Sequence, residues 1–363
     1  MVKNLINKKF WRKKKILVTG HTGFKGTWLS LWLQKLSAEV HGVSLPPPKN
    51  GKNLFSLLKL KKNIDSHFID IRKKDILKKA IIKIKPEIIF HLAAQPLVKE
   101  SYKNPINTID TNIMGTVNLL EICREFKIAQ TIIIITTDKV YKNKEQKKPY
   151  DENSKLGGFD PYSSSKASVE LITSSYRDSF FNDMGVSVAT ARAGNVIGGG
   201  DWSANRIIPD AINAWSKNKK LIIENPRSTR PWQHVLDSLY GYILLAQKIN
   251  KNINLSGAYN FGPLNKKQYS VLDIVNIGKK YFNNSKISIK RKKTKYHQTK
   301  LLNLNIKKSK DILGFHPRWN TVKSIGTTMN WYKEFYLGKN CKELCIKDIE
   351  NYEDDKKKIR VSL

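Results

Sequence analysis

A short apolar run, Ile16-Leu17-Val18, leads into glycines at 20, 23 and 26, and behind them Trp28, Leu29, Trp32, Leu33 and Leu36 recur at helical spacing. An apolar run without alternation suits a strand buried on both faces of a parallel sheet. The glycines therefore stand where that strand turns into an amphipathic helix. A turn of this kind offers the free N–H groups and the positive dipole end of a helix start, which together suit a pyrophosphate. Glycine is required there because side chains would keep the backbone away from the ligand. Strand, glycines and helix in that order point to a dinucleotide site.

The pattern repeats along the first half of the chain, which predicts an α/β fold built on a doubly wound parallel sheet. Glu39 to Val43 reads as a second strand, followed by a break at Pro46-Pro47-Pro48. Residues 67–71 read as a third strand, Asp75 to Ile84 as a helix, and Glu87 to Phe90 as a fourth strand running into His91-Leu92-Ala93-Ala94. A long helix over Pro105 to Phe126 precedes a fifth strand, Thr131 to Ile135. A polar stretch over 136–161 separates this strand from a helix at 162–181 and a sixth strand, Val186 to Ala191. After Gly198-Gly199-Gly200 the alternation fails. The expected organisation is a nucleotide-binding domain from 1–191 and 232–261, a smaller C-terminal substrate-binding lobe from 192–231 and 262–337, and a charged peripheral tail over 338–363.

With 363 residues the chain can bury a large core, and no apolar run approaches the roughly 18 residues of a membrane span. The apolar stretch behind the basic N-terminus is the first strand, so a cytoplasmic protein with no membrane partner is expected. Cys123, Cys341 and Cys345 complete no ligand set, so they read as reduced thiols and no metal is expected. The 66 basic against 30 acidic residues give a net charge of +36. The lysines are spread over the whole chain, and no nucleic-acid module interrupts the α/β pattern. Nucleic-acid binding should then be only non-specific, about 10⁻⁴ to 10⁻⁶ M at physiological salt, and a gel shift showing nanomolar, sequence-specific retention would overturn this.

The chemistry gathers around the fifth strand. Tyr162 and Lys166 lie four apart at a helix start, hence on one face. A lysine ammonium beside a phenol favours the phenolate and lets tyrosine act as a base towards an alcohol near neutral pH. Thr136-Thr137 closes the strand and Asp138-Lys139 follows, where hydroxyls and a carboxylate can face a cofactor and substrate.

These stretches together, ILVTGHTGFKGTWLSLWL, SLPPP, HLAAQPLV, TTDKVY, LGGFDPYSSSKASVEL, RAGNVIGGGDW, RPWQHVLD and NFGP, resemble the extended short-chain dehydrogenase/reductases, most closely their sugar-nucleotide 4,6-dehydratases. The resemblance covers roughly residues 10–337. It implies a Rossmann-type sheet, a tightly held NAD, CDP-glucose as the nucleotide-sugar substrate, and a homo-oligomer, dimer or tetramer. Tyr162 would take the C4 hydroxyl proton while hydride passes to the nicotinamide, with Lys166 orienting the ribose. Water would then leave across C5–C6 and hydride return to C6. Thr137 would hold the C4 oxygen and Asp138 would protonate the departing hydroxyl, while Lys139 stands where related dehydratases have a glutamate base. The implied cofactor contacts are Gly20, Gly23, Phe24 and Gly26 at the pyrophosphate, Asp70 and Ile71 at the adenine, and Ala93, Ala94 and Gln95 along the wall after strand four. Asn195, Arg206, Arg230 and His297 match substrate positions. The planar fork of arginine suits phosphate.

Two other readings use the same residues. A sugar-nucleotide 4-epimerase needs the Tyr/Lys pair and NAD but no acid to expel water, so Asp138 argues against it. A degenerate fold that binds NAD or nucleic acid without turnover has no use for Thr137, Asp138, Tyr162 and Lys166 together.

Overall fold

The fold is given by a computed structural model describing residues 5–263, 268–283, 285–290 and 301–355. Its frame is a parallel sheet built from β1 (Lys15–Thr19), β2 (Glu39–Ser44), β3 (Asp65–Phe68), β4 (Ile88–His91), β5 (Thr131–Ile135), β6 (Ser187–Ala193) and the strand Gly257–Phe261. The spatial order is Gly257–Phe261, β6, β5, β4, β1, β2, β3. Every residue of β4, β5 and β6 is buried, as a strand covered by helices on both faces must be. The order reverses between β1 and β4, so the carboxyl ends of those strands flank the crevice where such sheets bind ligands.

The helix after the glycine turn, Phe24–Lys35, is more deeply set than an amphipathic pattern requires. Every residue from Gly26 to Leu33 is buried. Its outer side is covered by residues distant in sequence: the Trp28 indole donates to Gly199 O (2.9 Å), and Trp32 donates to Glu353 Oε1 (2.8 Å). The tail explains the second contact. The stretch from 338 is not peripheral throughout, because Cys341–Asp354 is a helix whose Cys345, Ile349 and Tyr352 are fully buried in the main core. Most of its charged residues are exposed and mask an apolar face. The three cysteines are free and buried.

Two further expectations shift. The third strand ends at Phe68, because the Asp70 carboxylate accepts from Arg72 N (3.0 Å) and turns the chain there. The long helix over 105–125 carries a π turn at Asp110–Met114. This inserted turn aims Asn112 inward, where its amide donates to Ser165 Oγ (2.8 Å) and its Oδ1 accepts from Gln95 N (2.8 Å). Such single π turns are frequent at functional sites.

Under the polar loop after β5 lies a buried polar network. Glu170 and Arg192 form an ion pair at 2.8 Å with side chains 2% and 4% exposed. The Thr136 and Thr190 hydroxyls donate to the same carboxylate, and Arg192 reaches the Tyr141 hydroxyl (2.9 Å), which in turn donates to Asn260 Oδ1 (2.7 Å). Removing one partner strands a buried charge. Glu170→Ala should therefore cost about 3–5 kcal/mol, read as a lower denaturant midpoint at unchanged slope. An unchanged midpoint would show that the network does not hold the loop.

Candidate active site

The glycine turn is built for close approach. Gly20 has φ +73°, and a β-carbon there would lie 2.8 Å from Ala93 N; at Gly26 it would lie 2.1 Å from Gly20 O. At Gly23, the residue capping the helix start, the nearest atom would be Gly20 O at 3.3 Å, and Gly23 is exposed. The first helical turn has no side-chain cap and no acidic residue, so its N–H groups and dipole face an open space. The residues thus fit a dinucleotide pyrophosphate. Phe24 sits beside Gly198, whose β-carbon would meet its ring at 3.2 Å.

The wall after β4 is held rigidly. Thr19 Oγ1 accepts from the N–H groups of Leu92 and Ala93 (both 3.1 Å), and His91 bridges Thr19 and Thr116. Burial pushes His91 down to about 3, so the ring works as a neutral bridge. Ala94 is half-buried, and the Gln95 side chain closes its own loop through Leu97 N (2.6 Å) and Thr108 (2.8 Å). Asp70 is gripped by the Arg72 guanidinium, which holds its carboxyl below the usual range. Ile71 is buried against Gly115.

Thr137, Asp138 and Lys139 follow β5 in one tight turn. Thr137 Oγ1 donates to Asp138 Oδ1 (3.0 Å), and Lys139 Nζ lies 3.4 Å from the same oxygen. Asp138 is wholly buried, and its Oδ2 has no hydrogen-bond partner among the described residues. That oxygen looks towards Gly194, where a β-carbon would come within 3.1 Å.

Tyr162 and Lys166 project from the helix Pro161–Tyr176, capped by Asp160, whose Oδ1 accepts from Ser163 N (2.9 Å). The Thr137 side chain hydrogen-bonds the phenol. The pair does not behave as the spacing alone suggests. Burial pushes Tyr162 up to about 12 against the opposing Thr137 bond, and Lys166, itself lowered by burial to about 8, donates to Ile135 O (3.1 Å). Lys166 gives one of its three donors to the end of β5, and positive charge from a bound group would further favour the phenolate.

Of the predicted substrate residues, Arg206 and Arg230 come near this cluster. Asn195 follows β6 with its Oδ1 buried and unpartnered. Arg206 reaches Asp201 Oδ2 (2.9 Å), and Arg230 is held by Thr229 O (2.7 Å). Arg206 bears electrostatically on Tyr162, and Arg230 on Asp138. His297 lies outside the described residues.

Sequence reasoning missed Lys25 and Asp201. Lys25 Nζ lies 3.4 Å from the Tyr242 hydroxyl, and burial lowers it to about 7, with Arg206 and Lys166 pushing the same way and Asp138 opposing. A cation within the apolar start of a buried helix was the available signal. Asp201 sits within the GGGDW stretch, buried and fixed by Tyr332, and aims Arg206.

This geometry offers a pyrophosphate cradle, a tyrosine–threonine pair, a buried carboxylate and two arginines around one crevice. Residues 17–328 match the family described as GDP-mannose 4,6 dehydratase. A CDP-glucose 4,6-dehydratase of Salmonella typhimurium is 42% identical over 354 residues, covering 96% of this chain and 98% of that protein. Among solved structures, the dTDP-glucose 4,6-dehydratase of Bacillus anthracis in complex with NAD superposes with a TM-score of 0.74 at 22% identity, covering 88% of this chain and 97% of that one. The UDP-glucuronic acid 4-epimerase of Bacillus cereus, in complex with UDP-glucuronic acid and NAD, gives 0.75 at 25% identity, covering 88% and 99%. The chain therefore belongs to the GDP-mannose 4,6 dehydratase family, within the extended short-chain dehydrogenase/reductases.

Proposed function

We propose that this protein is an NAD-dependent CDP-glucose 4,6-dehydratase that converts CDP-glucose into CDP-4-keto-6-deoxyglucose. The observation that carries this reading is the 42% identity to the Salmonella enzyme along 96% of the chain. The buried Asp138 carboxylate beside Tyr162 supports dehydration over simple epimerisation, because only dehydration needs an acid to expel water.

NAD, when bound in the glycine cradle, supplies the acceptor and donor of hydride and, in its oxidised form, a positive charge. Gly20, Gly23 and Gly26 clear the backbone for its pyrophosphate. Tyr162 takes the proton from the C4 hydroxyl, and Thr137 holds the C4 oxygen. Oxidation at C4 makes the C5 proton acidic, and Lys139, beside Asp138, stands where related dehydratases have a glutamate base. Asp138 Oδ2 delivers a proton to the C6 hydroxyl as it leaves. Arg206, aimed by Asp201, and Arg230 hold the diphosphate, and the crevice walls exclude water from the intermediate.

Among the described residues no helix is long and apolar enough to cross a membrane. A cytoplasmic homo-oligomer, dimer or tetramer, completes the reading, and sedimentation of the pure protein checks the assembly.

A panel of nucleoside diphosphate glucoses tests the function, with the 4-keto product followed by its absorbance in base. CDP-glucose should be turned over best; turnover confined to another nucleotide base, or 4-epimer formation, overturns the reading. The same assay with 4-deuterated CDP-glucose in light water should return the label to C6 of the product, with solvent hydrogen at C5. Loss of the label to solvent would exclude internal hydride return.

A further inference from the structure

At the edge of the sheet, on the strands that precede the adenine region, four side chains converge without a role in the proposed reaction. Glu39 and His41 alternate onto one face of β2, and Asp65 and His67 onto the neighbouring face of β3. His41 stands directly opposite Asp65 in the parallel register, and His67 opposite Val43. Asp65 Oδ2 lies 3.0 Å from His41 Nδ1 and 2.9 Å from His67 Nε2. One ligating atom from each of the three residues fits within a sphere of contacts no wider than 4.8 Å.

The three converging atoms are of the types that ligate a metal ion. His41 faces a carboxylate on each ring nitrogen, Asp65 on Nδ1 and Glu39 Oε1 on Nε2 at 2.9 Å. A neutral imidazole carries one N–H, so it can donate to only one of them. With the N–H given to Glu39, the Nδ1 lone pair is turned towards the Asp65 oxygen, and either a second ring proton or a metal ion held by both groups satisfies the contact. The arrangement has the form of a carboxylate–histidine–metal triad, in which a carboxylate fixes the ring so that its other nitrogen ligates.

We propose that His41 Nδ1, His67 Nε2 and Asp65 Oδ2 bind a divalent transition-metal ion of the zinc class, with Glu39 orienting His41 and water completing the shell. Two imidazoles and one carboxylate match the ligand preference of such ions and not that of magnesium. Ligands about 2.0–2.2 Å from a tetrahedral zinc stand roughly 3.3 Å from one another. The observed 2.9 and 3.0 Å separations therefore need to open by only a few tenths of an ångström. The side chains of His41 and His67 are 12% and 22% exposed, which leaves an entry path while holding both rings in place. The ligands come from β2 and from the neighbouring edge strand β3, so the ion pins β3 to β2. Its role is structural, since none of its ligands has a part in the proposed reaction.

Calorimetric titration of tag-free, NAD-loaded protein with zinc chloride tests the site, with magnesium chloride as the comparison. The wild type should bind one zinc ion per chain at micromolar affinity or tighter, bind no magnesium there, and unfold at a higher temperature with zinc than with chelator. His67→Asn should remove that binding, and Glu39→Gln should weaken it about 10- to 100-fold, with CDP-glucose turnover in chelator unchanged in both. Glu39 is half-exposed, so Glu39→Gln keeps the fold should His67→Asn fail to do so. Absence of zinc binding to the wild type, or binding left intact by both variants, overturns the proposal.

Discussion

Asp138→Asn protein is expected to reduce its NAD when CDP-glucose is added, yet to release product about 10²-fold more slowly or worse. The first half of the reaction needs Tyr162 and the nicotinamide, neither of which the substitution touches. The second half needs a proton on the departing C6 oxygen, because hydroxide is a poor leaving group. Asparagine keeps the shape of the buried pocket and can still accept from Thr137 Oγ1 at the Oδ1 position, but it has no acidic proton to give. The reduced cofactor should therefore accumulate, visible in its near-ultraviolet absorbance. Tyr162→Phe should abolish that first absorbance change, with turnover lowered about 10²- to 10⁴-fold. The two variants thus divide the cycle at its midpoint. Wild-type turnover by Asp138→Asn would mean that another group or water supplies the proton.

Gly23→Val is expected to yield folded protein that no longer carries NAD. Gly23 has φ −78° and ψ 166°, a conformation that valine adopts readily. Its β-carbon would meet only Gly20 O, at 3.3 Å, and would otherwise project into the open face of the cradle. Losing two charge-assisted bonds from backbone N–H to pyrophosphate costs about 3–6 kcal/mol, a factor of roughly 10² to 10⁴ in affinity. Gly26→Ala makes the contrast, since its β-carbon would fall 2.1 Å from Gly20 O and break the turn itself. Cofactor retained by a folded Gly23→Val protein would show that the dinucleotide does not enter over this turn.

Local pattern carried five of the seven sheet strands, the glycine turn and the Tyr162–Lys166 face, because each rests on residues within about a turn of one another, whereas β3 is shifted and Gly257–Phe261 was not foreseen. Thr131–Ile135 lies where five apolar-to-β-branched residues place it. Contacts across the chain were not legible. The Glu170–Arg192 pair joins a helix to a strand 22 residues on, and nothing in either stretch marks the partner. Glu170 does fall four residues after Lys166, on the same helical face, and that spacing was the one hint. The π turn that aims Asn112 follows from packing against the Ser165 helix and has no signature in the composition. The Tyr162 phenol rises where the spacing suggests a fall, because burial outweighs the Thr137 bond and the Arg206 charge. The tail misled for a simpler reason: its high charge obscured an apolar stripe at Leu344, Cys345, Ile349 and Tyr352.

That last helix has a consequence for how the protein comes into being. Trp32, near the start of the chain, waits for Glu353, 321 residues later, to satisfy its indole, and Lys35 waits for the same carboxylate at 3.2 Å. Tyr352 likewise closes over Asp237, its hydroxyl 2.6 Å from Oδ1. On a ribosome, the helix Phe24–Lys35 therefore stays uncovered on one flank until the residues of the Cys341–Asp354 helix have been made. Pairings over such separations are slow to form and leave apolar surface open to aggregation meanwhile. Nascent chains stalled before residue 341 should engage chaperones, whereas full-length chains should escape them, even though every catalytic side chain has been made by then.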